Sequence, residues 1–252
     1  MQSSQWAPRR SVLACLGGEP LHVTLADESL AFARSIGEEW RDLPGTDPAS
    51  FQRRYLYAQA FGAAHTARSY WILHDAGQHS DSNVLGRKLL EYLFNSRVAS
   101  KSPRNAVELI AYELSERIRR LRLLMGEHKR VPREVAADVQ RLESELQVFL
   151  SMSGTHRVPQ WDYHRRAVVA RLSSWAYRGL YSKFSRYAHA GYEMSRPQEV
   201  NRPSGLADFI ALLAPIDTAM CLHQLSCGQT PCEVLVKYKA LCAEFRSKTL
   251  GR

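Results

Sequence analysis

The spacing of apolar residues between Val131 and Phe149 constrains this chain more than any other feature. Val131, Val135, Val139, Leu142, Leu146 and Phe149 step by 4, 4, 3, 4 and 3 residues. On a helix of 3.6 residues per turn such positions form one narrow stripe, which needs a second helix to cover it. A matching stripe lies just upstream in Ile110, Leu114, Ile118, Leu121 and Met125. Ser102 is a good N-cap and Pro103 a good first helical residue, so the first arm runs to about His128. Pro132 opens the second arm, and the short Arg130-Val131-Pro132 joint forces the arms together. Residues 102–152 therefore read as an antiparallel helical hairpin protruding from the body.

Helical periodicity continues through the rest of the chain, and strand alternation is almost absent. Helices are expected over 22–41, 48–74, 83–99, 161–194 and about 205–226. Asp81 or Ser82 would cap the third of these, and the fourth would kink near Gly179. Thr230-Pro231-Cys232-Glu233 supplies a cap, a first-turn proline and a capping-box glutamate for one more helix. Leu43-Pro44-Gly45, Ser153-Gly154-Thr155 and the stretch 195–204, with Pro197 and Pro203, interrupt the pattern. The fold class is all-α: a multi-helix bundle forming one domain over 1–252, with the hairpin 102–152 inserted and a flexible segment at 1–20.

Hydrophobic residues make up 45% of the chain and aromatics 10%, enough for a sizeable core and against disorder. The five cysteines, Cys15, Cys221, Cys227, Cys232 and Cys242, include no CxxC pair. A disulfide framework and a zinc site are both disfavoured, and no metal or cofactor is expected. Arg9-Arg10-Ser11-Val12-Leu13-Ala14-Cys15 resembles an export signal, but its apolar run stops at Leu16, too short for one. The apolar stretch 206–225 carries Asp208, Pro215 and Asp217 and reads as a buried helix, not a membrane span. A cytoplasmic protein without membrane partners is the expectation.

The net charge is +9 and the excess is arginine, 27 against seven lysines. A guanidinium fork binds two oxygens at once, which suits a polyanionic partner such as RNA, DNA or a nucleotide. Solvated helix faces would give the same composition.

Two polar faces stand out. Arg178, Tyr181, Ser185, His189 and Tyr192 recur every three or four residues, beside Leu180, Phe184 and Ala188, so a polar stripe borders a core stripe. Ser185 and His189 stand one turn apart and can meet each other or a common ligand. The other face is Arg87 and Glu91, four apart and flanked by Leu85, Leu89, Leu90 and Leu93. Each pair is also what ordinary helix support looks like. No GxSxG, HExxH, GxxxxGK[ST] or GxGxxG occurs, which removes the common hydrolase, zinc-protease and dinucleotide readings.

On these residues the chain resembles a bacterial family of unknown function. Its members pair a Leu-x-Arg-x-Leu-x-Glu helix (here Leu85, Arg87, Leu89, Glu91) with a later Tyr-x-x-x-Ser-x-x-x-His helix (here Tyr181, Ser185, His189). The resemblance spans roughly 50–225 and implies a helical fold with a pocket between the two motif helices. More loosely, the chain is similar to the HEPN superfamily of small helical proteins. Many of these are toxin or defence ribonucleases with an Arg-x(4–6)-His motif, matched here by Arg68–His74 and Arg122–His128. At His189 that spacing holds Lys183 instead of Arg, a departure that counts against HEPN-type cleavage there.

The expected function is a defence- or toxin-type protein acting on RNA or a nucleotide, with metal-independent ribonuclease activity. His189, Ser185, Glu91 and Arg87 would form the catalytic set, with Arg178 and Tyr181 binding beside it. The alternatives are a non-catalytic module and an oligomerisation protein. As a module it would bind nucleic acid or a partner protein through the hairpin cations Arg117, Arg119, Arg120, Arg122, Lys129, Arg130 and Arg133. As an oligomerisation protein it would use the apolar seam, and a homo-oligomer is expected.

Overall fold

The computed structural model describes residues 27, 29–31, 33–34, 45–127, 133–172, 181, 184, 205–226, 236 and 240. Its main helices are α1 (Pro48–Asp75), α2 (His79–Ala99), α3 (Pro103–Glu127), α4 (Arg133–Ser153), α5 (Tyr163–Val169) and α6 (Gly205–Ser226). No strand occurs among the described residues. The all-α reading stands, and no helix there is long and apolar enough to cross a membrane.

Helix starts follow their caps. Asp47 accepts from the backbone N–H groups of Ala49 (2.9 Å) and Ser50 (3.1 Å), with Pro48 at the first helical position, so two otherwise orphaned donors are satisfied. Ser102 does the same for Asn105 at 3.1 Å.

Helix α2 departs from expectation. It begins at His79, and Ser82 lies buried inside it with its hydroxyl donating to the His79 carbonyl. The reason lies one step upstream. Gly77, at φ +75°, closes α1 in a Schellman turn, its N–H donating to His74 O and that of Gln78 to Leu73 O. The reversal is complete by Gln78, so no longer turn is needed.

The expected helix from 161 is also interrupted. Helix α5 ends at Val169, and Arg171 adopts φ +54° while Leu172 N–H donates to Ala167 O and Arg171 N–H to Val168 O. This is the same closure built on an arginine, a residue that pays a steric cost in that region. The expected kink at Gly179 lies outside the described residues.

Three apolar clusters organise the interior. The first joins α1, α2 and α6 with Ala167, Tyr181 and Phe184, through Trp71, Leu89, Leu90, Leu93, Phe94 and Ile210. The second joins α1, α3 and the ends of α2 and α6 around Leu56, Leu109, Trp161 and Leu222. The buried residues of the third come from α3 and α4, where Ala111 and Ile118 meet Val139, Leu142, Leu146 and Leu150, with Val158 packed against them. Of the two stripes found in the sequence, Leu114, Ile118, Leu121 and Met125 pack with Val139, Leu142, Leu146 and Phe149, whereas Ile110 lies against the second cluster and Phe149 also meets the Phe51 ring of α1 at 4.8 Å. Residues 128–132, which include the joint, lie outside the described residues.

Candidate functional site

Helix α2 presents Arg87, Glu91 and Asn95 one turn apart, beside the buried Leu89, Leu90, Leu93 and Phe94. The leucines take the core, so the polar ladder lies along its border.

At the ladder's first rung Arg87 Nε donates to Glu91 Oε1 at 3.3 Å, and Nη2 donates to the Tyr181 hydroxyl at 3.1 Å. The guanidinium carbon also sits 5.1 Å from the Tyr181 ring centre, within cation–π range. The side chains of Arg87 and Glu91 are 22% and 14% exposed, so this pair is partly desolvated and more than a solvated helix ornament. Lys88 reaches the other Glu91 oxygen at 3.4 Å.

Three residues after Tyr181, the fully buried ring of Phe184 lies against α2 at Gly86. A Cβ at that position would stand 3.3 Å from the ring. Glycine lets the segment approach α2 closely enough for Tyr181 to reach Arg87. The two sequence motifs therefore meet at Arg87 and Tyr181. Arg178, Ser185 and His189 lie outside the described residues.

Sequence reasoning missed the continuation of this site. Tyr163, at the start of α5, packs its ring 4.5 Å from that of Tyr181. Burial pushes the Tyr163 hydroxyl far above the ordinary tyrosine value, and the Glu91 carboxylate adds to the effect. Burial raises Tyr181 too, with the Arg87 charge opposing it. At Arg87 burial works against the charged form, but Tyr181 and Glu91 outweigh it and raise the guanidinium's pKa. Both phenols are proton donors at any physiological pH.

One turn along α5, Arg166 is 3% exposed. It lies between the Tyr112 and Tyr163 rings, at 5.2 and 4.8 Å from their centres. Its Nε donates to Trp161 O and its Nη1 to Asn95 Oδ1, each at 2.7 Å.

Glu113 completes the band. Its Oε1 accepts from Tyr55 Oη at 2.8 Å and Asn95 Nδ2 at 3.2 Å, and lies 3.6 Å from Arg166 Nη1. Partial burial raises its carboxyl above the ordinary glutamate value, although Arg166 and Tyr55 pull the other way. The side chain is still 40% exposed, so one oxygen is held from inside while the group stays within reach of solvent. A carboxyl of raised pKa beside guanidinium and phenol donors can bind and move protons on a polar ligand.

Two signals could have revealed this band. One is the third rung, Asn95, of the Arg87–Glu91 ladder. The other is the Tyr163-x-x-Arg166 turn next to a capping Asp162, whose carboxylate accepts from Arg165 N–H at 2.8 Å.

The hairpin cations are arranged differently. Arg119 pairs with Glu116 at 2.9 Å and Arg122 with Glu143 at 2.6 Å, with both arginines more than 60% exposed. Arg117 and Arg120 are exposed. Lys129 and Arg130 lie outside the described residues. A shallow groove of about 860 Å³ runs along the two arms, lined by Ile118, Arg119, Arg122, Glu143, Leu146 and Gln147 among others. It does not touch the polar band. The two Arg-x(4–6)-His matches gain no common site: Arg68 pairs with Asp27 at 3.7 Å, whereas His74 faces Asp208 at 3.4 Å, and His128 is not among the described residues. Among the described residues no group of histidine, cysteine or acidic side chains is arranged to hold a metal ion.

The chain belongs to a family described as a family of unknown function (DUF5677), whose model matches residues 55–199, more than half of the sequence. This bears out the resemblance to an uncharacterised family, and the matched span holds both motifs and the hairpin. No curated protein and no solved structure matches the chain.

Proposed function

We propose that the protein acts on RNA or a nucleotide at the border between α2 and the segment of Tyr181, as a bacterial defence- or toxin-type ribonuclease of the cytoplasm. The observation that carries this reading is the hydrogen bond from Arg87 to Tyr181, with Phe184 seated on Gly86 beside it. It joins the Arg/Glu motif to the element from which the sequence continues to Ser185 and His189.

RNA cleavage through the 2′-hydroxyl needs a group that titrates near neutrality and a cation beside the phosphate. His189 takes the 2′-hydroxyl proton as that oxygen attacks phosphorus, and the resulting imidazolium returns the proton to the 5′-oxygen as the P–O5′ bond breaks. Arg87 exchanges the Tyr181 hydroxyl for a phosphate oxygen, while Glu91 keeps the guanidinium in place and Ser185 orients the imidazole. Arg178 adds a second positive charge.

Expression of wild type, His189→Ala and Arg87→Ala in a bacterial host tests the reading. Wild type should slow growth and fragment cellular RNA, leaving 2′,3′-cyclic phosphate ends, and neither variant should. Equal growth with intact RNA in all three would remove the enzymatic reading. Salt-sensitive RNA binding without cleavage would replace it with a binding module.

A further inference from the structure

The stretch 154–172, which carries α5, holds four arginines and two histidines against a single acid, Asp162. That carboxylate is occupied in capping α5 through the Arg165 N–H. Arg166 is buried in the polar band, whereas Arg165 and Arg171 are exposed.

Contacts join these two arginines to the corner between α2 and α3. The Arg165 guanidinium carbon lies 4.4 Å from the Trp161 ring centre, and its Nη1 donates to Gln160 O at 2.8 Å. Trp161 Nε1 donates to Glu108 Oε2 at 3.2 Å, and Glu108 Oε1 accepts from Arg104 Nε at 2.8 Å. One turn before Arg104, Lys101 is exposed and donates to the carbonyl of Val169, two residues ahead of Arg171. Arg104 is thus matched by Glu108 and Arg97 by Asp217. Among the described residues no acid pairs with Lys101, Arg165 or Arg171. Lys101 feels the surplus: burial lowers its pKa first, and the charges of Arg171 and Arg97 lower it further.

The backbone at Arg171 adds a second observation. Its φ of +54° is a conformation that glycine adopts at no steric cost and arginine does not. Strain of this kind is kept where the side chain is needed for something other than the turn. The other end of α5 leads to the site already described, since Tyr163 packs on Tyr181, which accepts from Arg87. Tyr163 and Arg171 are eight residues apart, about 12 Å along a helix. A stacked strand covers that length with three or four nucleotides at about 3.4 Å each.

We infer that the Arg87–Tyr181 site takes an RNA chain and not a mononucleotide, with phosphates beyond the reacting one lying along α5 on Arg165, Lys101 and Arg171; this rests on that site being an RNA site.

Fluorescence anisotropy with a labelled single-stranded RNA of roughly 12 nucleotides tests it on the full chain, with His189→Ala as the parent so that the probe stays whole. The triple variant Lys101→Gln, Arg165→Gln, Arg171→Gly removes the three charges, keeping a donor for Val169 O and relaxing the backbone at 171. Each phosphate contact on a single strand contributes about 0.7 to the slope of log affinity against log salt. The triple variant should therefore flatten that slope by about 2. Between about 50 and 200 mM salt its affinity should fall roughly twentyfold less than the parent's. Arg171→Gly alone should weaken binding severalfold while raising the thermal midpoint by about 2–4 °C, a split that a merely structural arginine would not give. Arg141→Gln removes a cation already paired with Asp138 and Glu145 and should change neither slope nor affinity.

An unchanged slope in the triple variant, or a parent that does not bind the RNA, overturns the inference. So does binding that survives the triple variant but disappears with Arg117→Ala and Arg120→Ala, which would put the strand on the hairpin. Cleavage is read separately. Intact cellular RNA beside binding that depends on the three cations removes the ribonuclease and leaves this surface standing. RNA cut equally well with and without the three cations removes this surface and leaves the ribonuclease.

Discussion

Arg166 and Arg119 are the same residue type, each beside a glutamate of α3, yet their surroundings make them physically different objects. Arg166 is 3% exposed and is held by a backbone carbonyl, an asparagine, a glutamate and two aromatic rings. The Arg119 side chain is 61% exposed and pairs with Glu116, three residues away on its own helix. The interior band ties α1, α2, α3 and α5 together through charge, whereas the hairpin is held by apolar packing and wears its charges outside. Sequence composition counts both arginines alike. Burial decides which one the fold depends on.

The sharpest way to break this contrast is to truncate Arg166. Arg166→Ala leaves Asn95 and the Trp161 carbonyl without their donor and Glu113 without its cation, inside a packed interface. Removing one partner of a buried charged network costs about 3–5 kcal/mol. Urea unfolding should therefore show a midpoint far below wild type. A loss no larger than that of an exposed arginine would mean that the band does not hold the helices together.

The hairpin should respond to apolar truncation instead. Leu142 is 1% exposed at the centre of the α3–α4 cluster, so Leu142→Ala should cost about 2–4 kcal/mol through lost transfer energy and the cavity left behind. Proteolysis offers a local readout, because opening of α4 alone should expose cleavage sites within 133–153 while α1 and α2 stay protected. Uniform loss of protection across the chain would contradict the view of the hairpin as a separately packed unit.

Much of this architecture was legible in the sequence because its causes are local. The seam is a matter of spacing, Ser102 as a cap and Pro48 as a first helical residue mark helix starts within a few residues, and Arg87–Glu91 is a one-turn pair. What escaped is what depends on distant partners or on unusual backbone. Glu113 meets Tyr55 across 58 positions, and Arg166 meets Asn95 across 71. No periodicity encodes such meetings. The break at Arg171 was hidden because the left-handed position is filled by arginine, where a glycine would have announced it. The start of α2 was misjudged for the opposite reason. Asp81 and Ser82 have the chemistry of caps, but Gly77 had already completed the turn, and Gln78 serves without a side-chain cap.

A smaller effect separates the two regions by pH. The folded state raises the Glu113 carboxyl pKa, chiefly through desolvation. A raised carboxyl contributes stability below its unfolded value, and that contribution is lost as pH rises through the folded value. Glu116 has the opposite sign: Arg119 lowers its pKa, so its contribution exists above the unfolded value and is lost as pH falls. Glu113→Gln keeps an acceptor for Tyr55 but cannot ionise. Its stability relative to wild type should climb as pH is raised from about 4.5, near the unfolded glutamate value, and then level off. Unfolding curves at several pH values, taken for both proteins, check this. Parallel curves would show that Glu113 titrates as it does in the unfolded chain.

The smallest expected effect completes the contrast. Arg119→Ala and Arg141→Ala remove cations that satisfy Glu116, and Asp138 with Glu145, on the surface of the hairpin. In water the released carboxylates are resolvated at once, and the freed side-chain entropy offsets the lost attraction. Neither variant should move the thermal midpoint measurably at physiological ionic strength, although both delete ion pairs as short as those of the interior band. Added salt should make no further difference, since little attraction remains to be screened. A clear loss of stability in either variant would mean that the hairpin's charges brace it after all, and the division between a charge-held interior and an apolar-held hairpin would fail there.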